Sequence, residues 1–385
     1  MALRRHLDPT AVARAERATR LHERAIADLA DGRLAAARTH ANRSLRALEA
    51  LVGPRHAVVA DVCDTLASIE GSAGRFARAE AWLRRALAIL ARKQAAPETV
   101  TLHVRTQRNL GSLLVQMGQY ARADRMLRRS LTRAEAAFGR DHVEVAGCLN
   151  DLGVLCKFTG RFAEAGRVYR RALRLLRRHA GAHDAQVATV YHNLGGLGHA
   201  RGRHQAAEPF ARRAVAIRER LLGRNHADVA ADLAALAAIL DGLGRHAESI
   251  PLYRRALVIF ERTFGPTHYE IAVNLHNLAS AYAATGRAHL AEPMYRRALR
   301  IKRRLFGPRH PDLAFTWNDL AALCASRGER TRAAAMYRLA GAIFAAALGP
   351  DHPNTKTCRG NLAALRASAP SASRCPTRSR VRRAG

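Results

Sequence analysis

Apolar residues recur along this chain with the helical period, in short segments that come in pairs, and the pairs repeat over most of its length. Val143 to Lys157 reads as one helix, here called A, and Phe162 to about Arg177 as its partner, B. Between the two stands a Gly-Arg dipeptide or a close variant of it. Its glycine recurs at Gly32, Gly74, Gly118, Gly160, Gly202, Gly244, Gly286 and Gly328, spaced by 42 residues at every step except Gly74 to Gly118, which is 44. Other columns keep the same phase. Five residues after the glycine stands Ala, with Ser249 the one exception, and twelve after it Ala or Ser. Nine after it come Tyr169, Tyr253, Tyr295 and Tyr337. These three positions share one face of helix B, small residues permitting close approach and the ring filling the gap between helices. Seven before the glycine lies Gly111, Gly153, Gly195 or an Ala. Eighteen before it lies His56, His142, His226, His268 or His310, a series continued by His352, and the regularity suits a packed or capping residue at each junction.

A glycine ends helix A because it readily takes the left-handed backbone that closes a helix and turns the chain. Gly-Pro in junctions such as Phe264 to His268 stops helix B, since Pro cannot continue it. One such pair cannot bury its apolar face alone, so the pairs must stack. The pattern predicts an all-α protein: a lead at 1–13, eight repeats over 14–351, a C-terminal capping helix within 352–367 (Asn354 to about Ala367), and a tail at 368–385. The spacing of 44 places a two-residue loop insertion around Lys93 to Glu98. The tail is rich in Ser, Pro, Ala and Arg, has no acidic residue and is expected to be disordered.

Composition agrees with helices. Apolar residues make up 48% and aromatics only 5%, with Ala and Leu dominant. Six cysteines occur without a C-x-x-C pair, four of them within helical patterns, which suits a reduced, cytoplasmic setting. No uninterrupted apolar run approaches the ~18 residues of a membrane span. Arg4, Arg5, Arg14, Arg17 and Arg20 give the N-terminus a superficial likeness to a transit peptide, but Asp8, Glu16 and Glu23 interrupt it. Charge changes the picture more. Lys and Arg number 64 against 31 Asp and Glu, for a formal charge of +33, and all but four of the basic residues are Arg. An acidic partner is one reading; drift towards Arg and Ala, as in a high-GC genome, is the other.

The spacing of small residue, Gly, Ala, Tyr and Ala resembles the tetratricopeptide repeat. The 42-residue period, the Asn-Leu-Ala…Gly…Ala-Glu…Tyr-Arg-Arg-Ala-Leu unit and the Leu-Gly-Pro-x-His-Pro linker are similar to the long variant found in kinesin light chains, best seen from Gly286 to Leu299 and Phe306 to Asp312. The resemblance implies a right-handed superhelical solenoid of stacked helix-turn-helix units, with helix A lining a concave face. It does not imply a motor-adaptor role. The columns ten and nine before the glycine would then meet a ligand. They hold Arg108-Asn109, Asn150-Asp151, His192-Asn193, Ala234-Ala235, His276-Asn277 and Asn318-Asp319, polar residues inside an otherwise apolar helix. An Asn amide can both donate to and accept from an extended backbone, and Arg105, Arg108, Lys157 and His199 would favour an acidic segment. Alternatively the Asn residues bond to the neighbouring repeat and fix the stacking angle.

Helix B carries Arg-Arg ten and eleven after the glycine, from Arg84-Arg85 through Arg128-Arg129, Arg170-Arg171, Arg212-Arg213 and Arg254-Arg255 to Arg296-Arg297. Stacked, they form a basic ladder that could hold phosphate backbones without reading sequence, or a solvated face partly paired with Glu80, Asp124, Glu164, Glu208, Glu248 and Glu292. No lysine follows a glycine, so the phosphate-cradling Gly-Lys-Ser/Thr motif is absent. There is no H-E-x-x-H, and His179 with His183 lacks a third zinc ligand. The expectation is a non-enzymatic adaptor without cofactor or metal, binding an extended, acidic peptide in the groove. Nucleic-acid association through the ladder and a sensor arm serving a separate signalling chain are the alternatives. The peptide-binding candidates are Arg105, Arg108, Asn109, Asn150, Lys157, His192, Asn193, His276, Asn277 and Asn318.

Overall fold

The computed structural model describes residues 9–91, 97–179, 181 and 184–367. These residues form seventeen helices. The A helices are α1 (Pro9–Ala30), α3 (Ala57–Ser72), α5 (Pro97–Gln116), α7 (Val143–Phe158), α9 (Ala185–Ala200), α11 (Ala227–Gly242), α13 (Tyr269–Ala284), α15 (Pro311–Ser326) and α17 (Pro353–Ala367). The B helices are α2 (Leu34–Val52), α4 (Phe76–Leu90), α6 (Tyr120–Phe138), α8 (Phe162–His179), α10 (His204–Leu222), α12 (His246–Phe264), α14 (Ala288–Phe306) and α16 (Arg330–Leu348). The chain divides into two compact units, Met1–Leu243 and Gly244–Gly385. The tail at 368–385 and His183 lie outside the described residues, as do residues 1–8 of the lead.

Helices of both kinds end in glycine at most junctions. At Gly160 the backbone turns left-handed (φ 73°), and the following Arg161 N–H reaches back to the Cys156 carbonyl at 2.8 Å, which satisfies an end-of-helix acceptor. The histidine column starts the A helices. His142 Nδ1 accepts from the Glu144 N–H at 3.2 Å, and His56, His226, His268, His310 and His352 do the same two residues on. Stacking gives a reason for His at this position. Phe138, Phe264 and Phe306 close their B helices against His142, His268 and His310, with ring centroids 5.1, 4.2 and 4.5 Å apart.

Helix pairing rests on a hole and a knob. A Cβ added to Gly153 would sit 2.4 Å from Tyr169 Cε1, and one on Gly111 2.4 Å from Leu127 Cδ2. The column seven before the repeat glycine therefore receives the column nine after it, and filling the hole would cost ~1–3 kcal/mol of overpacking. Each unit is built from such hairpins. In the first unit consecutive A helices also touch one another, whereas B helices lean mainly on A helices, so the A layer is the closely spaced, inner one. Five cysteines, one more than the helical patterns indicated, are buried on helices as free thiols, acting as small apolar residues.

The third repeat departs from the expected loop insertion. Residues 92–96 lie outside the described set, but Pro97 and Glu98 form the first turn of α5, which runs 20 residues where α3, α7, α9 and α11 run 16. The usual cap position is occupied by Val100, and no glycine stands at position 95 to stop the preceding helix. Without either punctuation mark the helix starts a turn earlier.

Candidate functional site

The inner layer of the first unit carries most of the candidate residues, and it ties them to one another. Asn109 donates to both carboxylate oxygens of Asp64 at 3.1 and 2.9 Å, and Arg105 Nε donates to Asp64 Oδ2 at 3.1 Å while its Nη2 pairs with Asp61. Arg108 Nε donates to Asp151 Oδ2 at 2.7 Å, its guanidinium lying over Gly147, where a Cβ would be 2.3 Å from Nη1. Asn150 donates to Asp151 Oδ1 at 3.2 Å and accepts from Asn193 Nδ2 at 2.8 Å. His192 Nδ1 lies 2.7 Å from Asp232 Oδ1, which also accepts from Arg218 Nη1 at 3.1 Å. Nearly every partner is one repeat away in sequence. The reading in which these columns fix the stacking between repeats is therefore the one the geometry displays.

The second unit repeats the device. His276 Nδ1 is 3.2 Å from Thr316 Oγ1 and its Nε2 is 3.3 Å from Asp319. Asn318 donates to Asp319 at 3.1 Å and accepts from Asn361 at 3.0 Å. Asn277 is half-buried on α13 and makes no hydrogen bond among the described residues. A buried lysine, Lys302, is 3% exposed, donates to Thr316 Oγ1 at 3.2 Å and to the Asp312 carbonyl at 3.3 Å, and forms an ion pair with the Asp312 carboxylate at 3.1 Å.

Burial sets the electrostatics. Desolvation pushes the Asp64 carboxyl above the ordinary carboxylate range, and the Arg105 charge and Asn109 amide only partly oppose it. Arg108 stays firmly cationic: its burial is outweighed by Asp151. Lys157 is different. It sits half-buried on α7, seven residues beyond Asn150 on the same face, and has no hydrogen bond or ion pair among the described residues. Its Nζ lies 5.5 Å from the Phe158 ring centroid and 3.6 Å from where a Cβ on Gly196 of α9 would be. Burial alone draws its pKa below the usual lysine value. The neighbouring His199 ring stands 5.0 Å from that of His204. Of the four basic candidates named for an acidic segment, Arg105 and Arg108 are neutralised from within, whereas Lys157 has the face of the Phe158 ring but no carboxylate among the described residues.

The partner carboxylates Asp61, Asp64 and Asp232 are the residues that motif reading passed over; Asp151 stood in the inner columns but was not read as the partner of Arg108. Asp64 stands in the same column as Arg108, one repeat earlier, so extending the column backwards would have found it.

On the outer layer the arginine columns are largely paired. Arg84, Arg128, Arg212 and Arg296 each bridge to the acid four residues earlier, at 2.7 to 2.8 Å. Arg85, Arg171 and Arg297 reach Glu49, Glu135 and Glu261 on the preceding B helix. Among the described residues no group of three His, Cys, Asp or Glu side chains is placed to hold a metal, and no helix is long and apolar enough to cross a membrane.

No curated protein matches the sequence, but solved structures share the fold. BtubC (BKLC) from P. vanneervenii is 24% identical over 60% of this chain and 92% of its own, with a TM-score of 0.52. A Rap protein complexed with competence and sporulation factor is 12% identical over 93% and 98%, with a TM-score of 0.59. A signal transduction ATPase with a tetratricopeptide repeat sensor from Pyrococcus horikoshii is 14% identical over 74% and 43%, with a TM-score of 0.53. The tetratricopeptide repeat family matches residues 16–92, 102–178, 186–262, 231–304 and 270–344. With its 42-residue, kinesin-light-chain-like units, this chain belongs to the tetratricopeptide repeat family.

Proposed function

We propose that the chain is a protein-interaction scaffold whose inner A-helix layer receives an extended, acidic segment of a partner protein, anchored at Lys157. The observation that carries this is a half-buried ammonium with no carboxylate partner among the described residues, set beside inner-face arginines that each have one. A buried charge left unpaired is costly, and an incoming Asp or Glu supplies the missing partner. Asn150 and Asn193, already bonded to each other, retain further amide valences for the segment's backbone. Arg105, Arg108, Asn109 and His192 hold the repeats of the first unit in register beneath it; within the second unit His276 and Asn318 do the same for its own repeats, and Asn277 offers an unused amide there.

The Rap protein, solved in complex with competence and sporulation factor, is an example of this fold holding a partner. A sensor arm acting with a separate signalling chain is a variant of the same reading, since the Pyrococcus neighbour carries its repeats as a sensor. Nucleic-acid association is weakened by the pairing of the outer arginines.

Fluorescence anisotropy with a labelled Asp/Glu-rich peptide, a neutral peptide of equal length and a DNA duplex tests the choice. Saturable binding of the acidic peptide that DNA does not displace is expected. Tight, steeply salt-dependent DNA binding that displaces the peptide would move function to the outer arginines.

A further inference from the structure

The α5–α6 hairpin differs from the others in its core. Fifteen residues before the repeat glycine, the second and the fourth to eighth repeats bury Val, Ile or Leu, as Val145 does in the fourth. Eleven before it they carry an apolar residue such as Leu149, and fifteen after it Ile or Leu, as at Leu175. In the third repeat these three columns hold His103, Gln107 and Arg133. The three side chains line one cavity of about 810 Å³ between α5 and α6, together with Thr99, Thr132 and Arg129. The early start of α5 contributes Thr99 to its wall.

The cavity's lining carries polar groups without partners. His103 is 6% and Gln107 7% exposed. Gln107 Oε1 and Arg133 Nε are buried without a hydrogen-bond partner, and the His103 ring makes no hydrogen bond among the described residues. No carboxylate is among its described lining residues. Arg128 also lines it, but is shared between Asp124 and Glu164. Burial, reinforced by the Arg133 charge, holds the imidazole neutral with its pKa down to about 4, so near pH 7 it presents one donor and one acceptor. Buried polar groups normally find partners, and three of them replacing an aliphatic core in one hairpin point to a partner that is not part of the chain.

We propose that this cavity binds a small hydroxylated phosphomonoester, of the sugar-phosphate class. Arg129 and Arg133, the His103 N–H and the Thr132 hydroxyl offer more donors than the two oxygens of a carboxylate use, and suit the three of a phosphate. Gln107 is among the lining residues, and its amide suits a hydroxyl of the ligand body, which can both donate and accept. The volume exceeds a bare phosphate and falls within the ~300–1,000 Å³ usual for small-molecule sites. The site is on the hairpin, separate from Lys157, and stands or falls independently of the peptide groove.

The test follows the His103 ring by NMR during titration with glucose 6-phosphate, inorganic phosphate, sulfate and citrate at constant ionic strength. Glucose 6-phosphate is expected to shift the ring saturably and to bind more tightly than inorganic phosphate. Arg133→Ile, which restores the residue type of the other repeats, is expected to raise Tm and weaken binding at least tenfold. Arg129→Gln weakens binding with Tm unchanged, and serves if the first variant misfolds. The proposal is overturned if glucose 6-phosphate gives no saturable shift at millimolar concentration. It is equally overturned if sulfate or citrate binds as well, or if both variants bind like the unaltered protein.

Discussion

On the inner layer of the first unit, Arg108 meets Asp151 and Asn109 meets Asp64 across one repeat, with both carboxylates no more than 14% exposed. On the outer layer, Arg84, Arg128 and Arg212 meet acids four residues earlier on their own helices, and their side chains stay 46 to 62% exposed. The chemistry is the same and the consequence is not. Solvent screens the outer pairs and keeps their worth small. The inner pairs have been taken out of water, so each must be satisfied, and the geometry that satisfies it also sets how one repeat sits on the next. An uncompensated cation therefore means little on the outer layer, where many arginines lie, and a great deal on the inner one, where Lys157 is half-buried.

The two layers should differ in penalties measurable by urea denaturation. The largest belongs to Asp232→Ala. Its carboxylate is fully buried and serves both His192 and Arg218, the latter 12% exposed, and removing one side of a buried pair costs ~3–5 kcal/mol. Asn109→Ala deletes two hydrogen bonds to the buried Asp64 carboxylate and is expected to cost ~1.5–3 kcal/mol. Arg84→Ala, on the outer layer, should change stability by no more than ~0.5 kcal/mol. Equal penalties for Asn109→Ala and Arg84→Ala would remove the distinction between layers.

Acid sharpens the contrast within the inner core. His103 has a folded pKa of about 4, against 6.5 for an ordinary solvated histidine. Between those values the unfolded chain holds the proton and the folded chain does not, so this residue's contribution to stability is present above pH 6.5 and is lost as pH falls towards 4. His103→Val should flatten the decline of stability in that window relative to the unaltered protein. Identical pH profiles would show that the imidazole is not desolvated.

Much of the fold was legible because it repeats. The glycine after helix A, the histidine before it and the Gly–Tyr packing columns each recur in phase, so a weak local signal was reinforced across repeats. The start of α5 was not legible for the opposite reason: the glycine and the capping His or Asp that mark the other junctions are missing around 95 and 100, and the two extra residues looked like loop. The inner columns were identifiable as special, but the sequence left open whether they meet a ligand or one another. Whether Asn109 faces a ligand or Asp64 depends on a contact between residues 45 apart, which the spacing along one helix does not encode. Lys157 stood out only once its neighbours had been neutralised.

The most direct test of the account is the affinity of an Asp/Glu-rich peptide for the Lys157→Gln variant, measured beside Arg84→Gln at the same salt. Both substitutions remove one positive charge and neither breaks an inner-layer hydrogen bond. If the inner face is the groove, Lys157→Gln weakens binding by ~2 kcal/mol, about thirtyfold, as expected for a desolvated charge pair, while Arg84→Gln barely changes it. Equal, small losses in the two variants would contradict the account, leaving net charge rather than an inner-face site as the basis of binding.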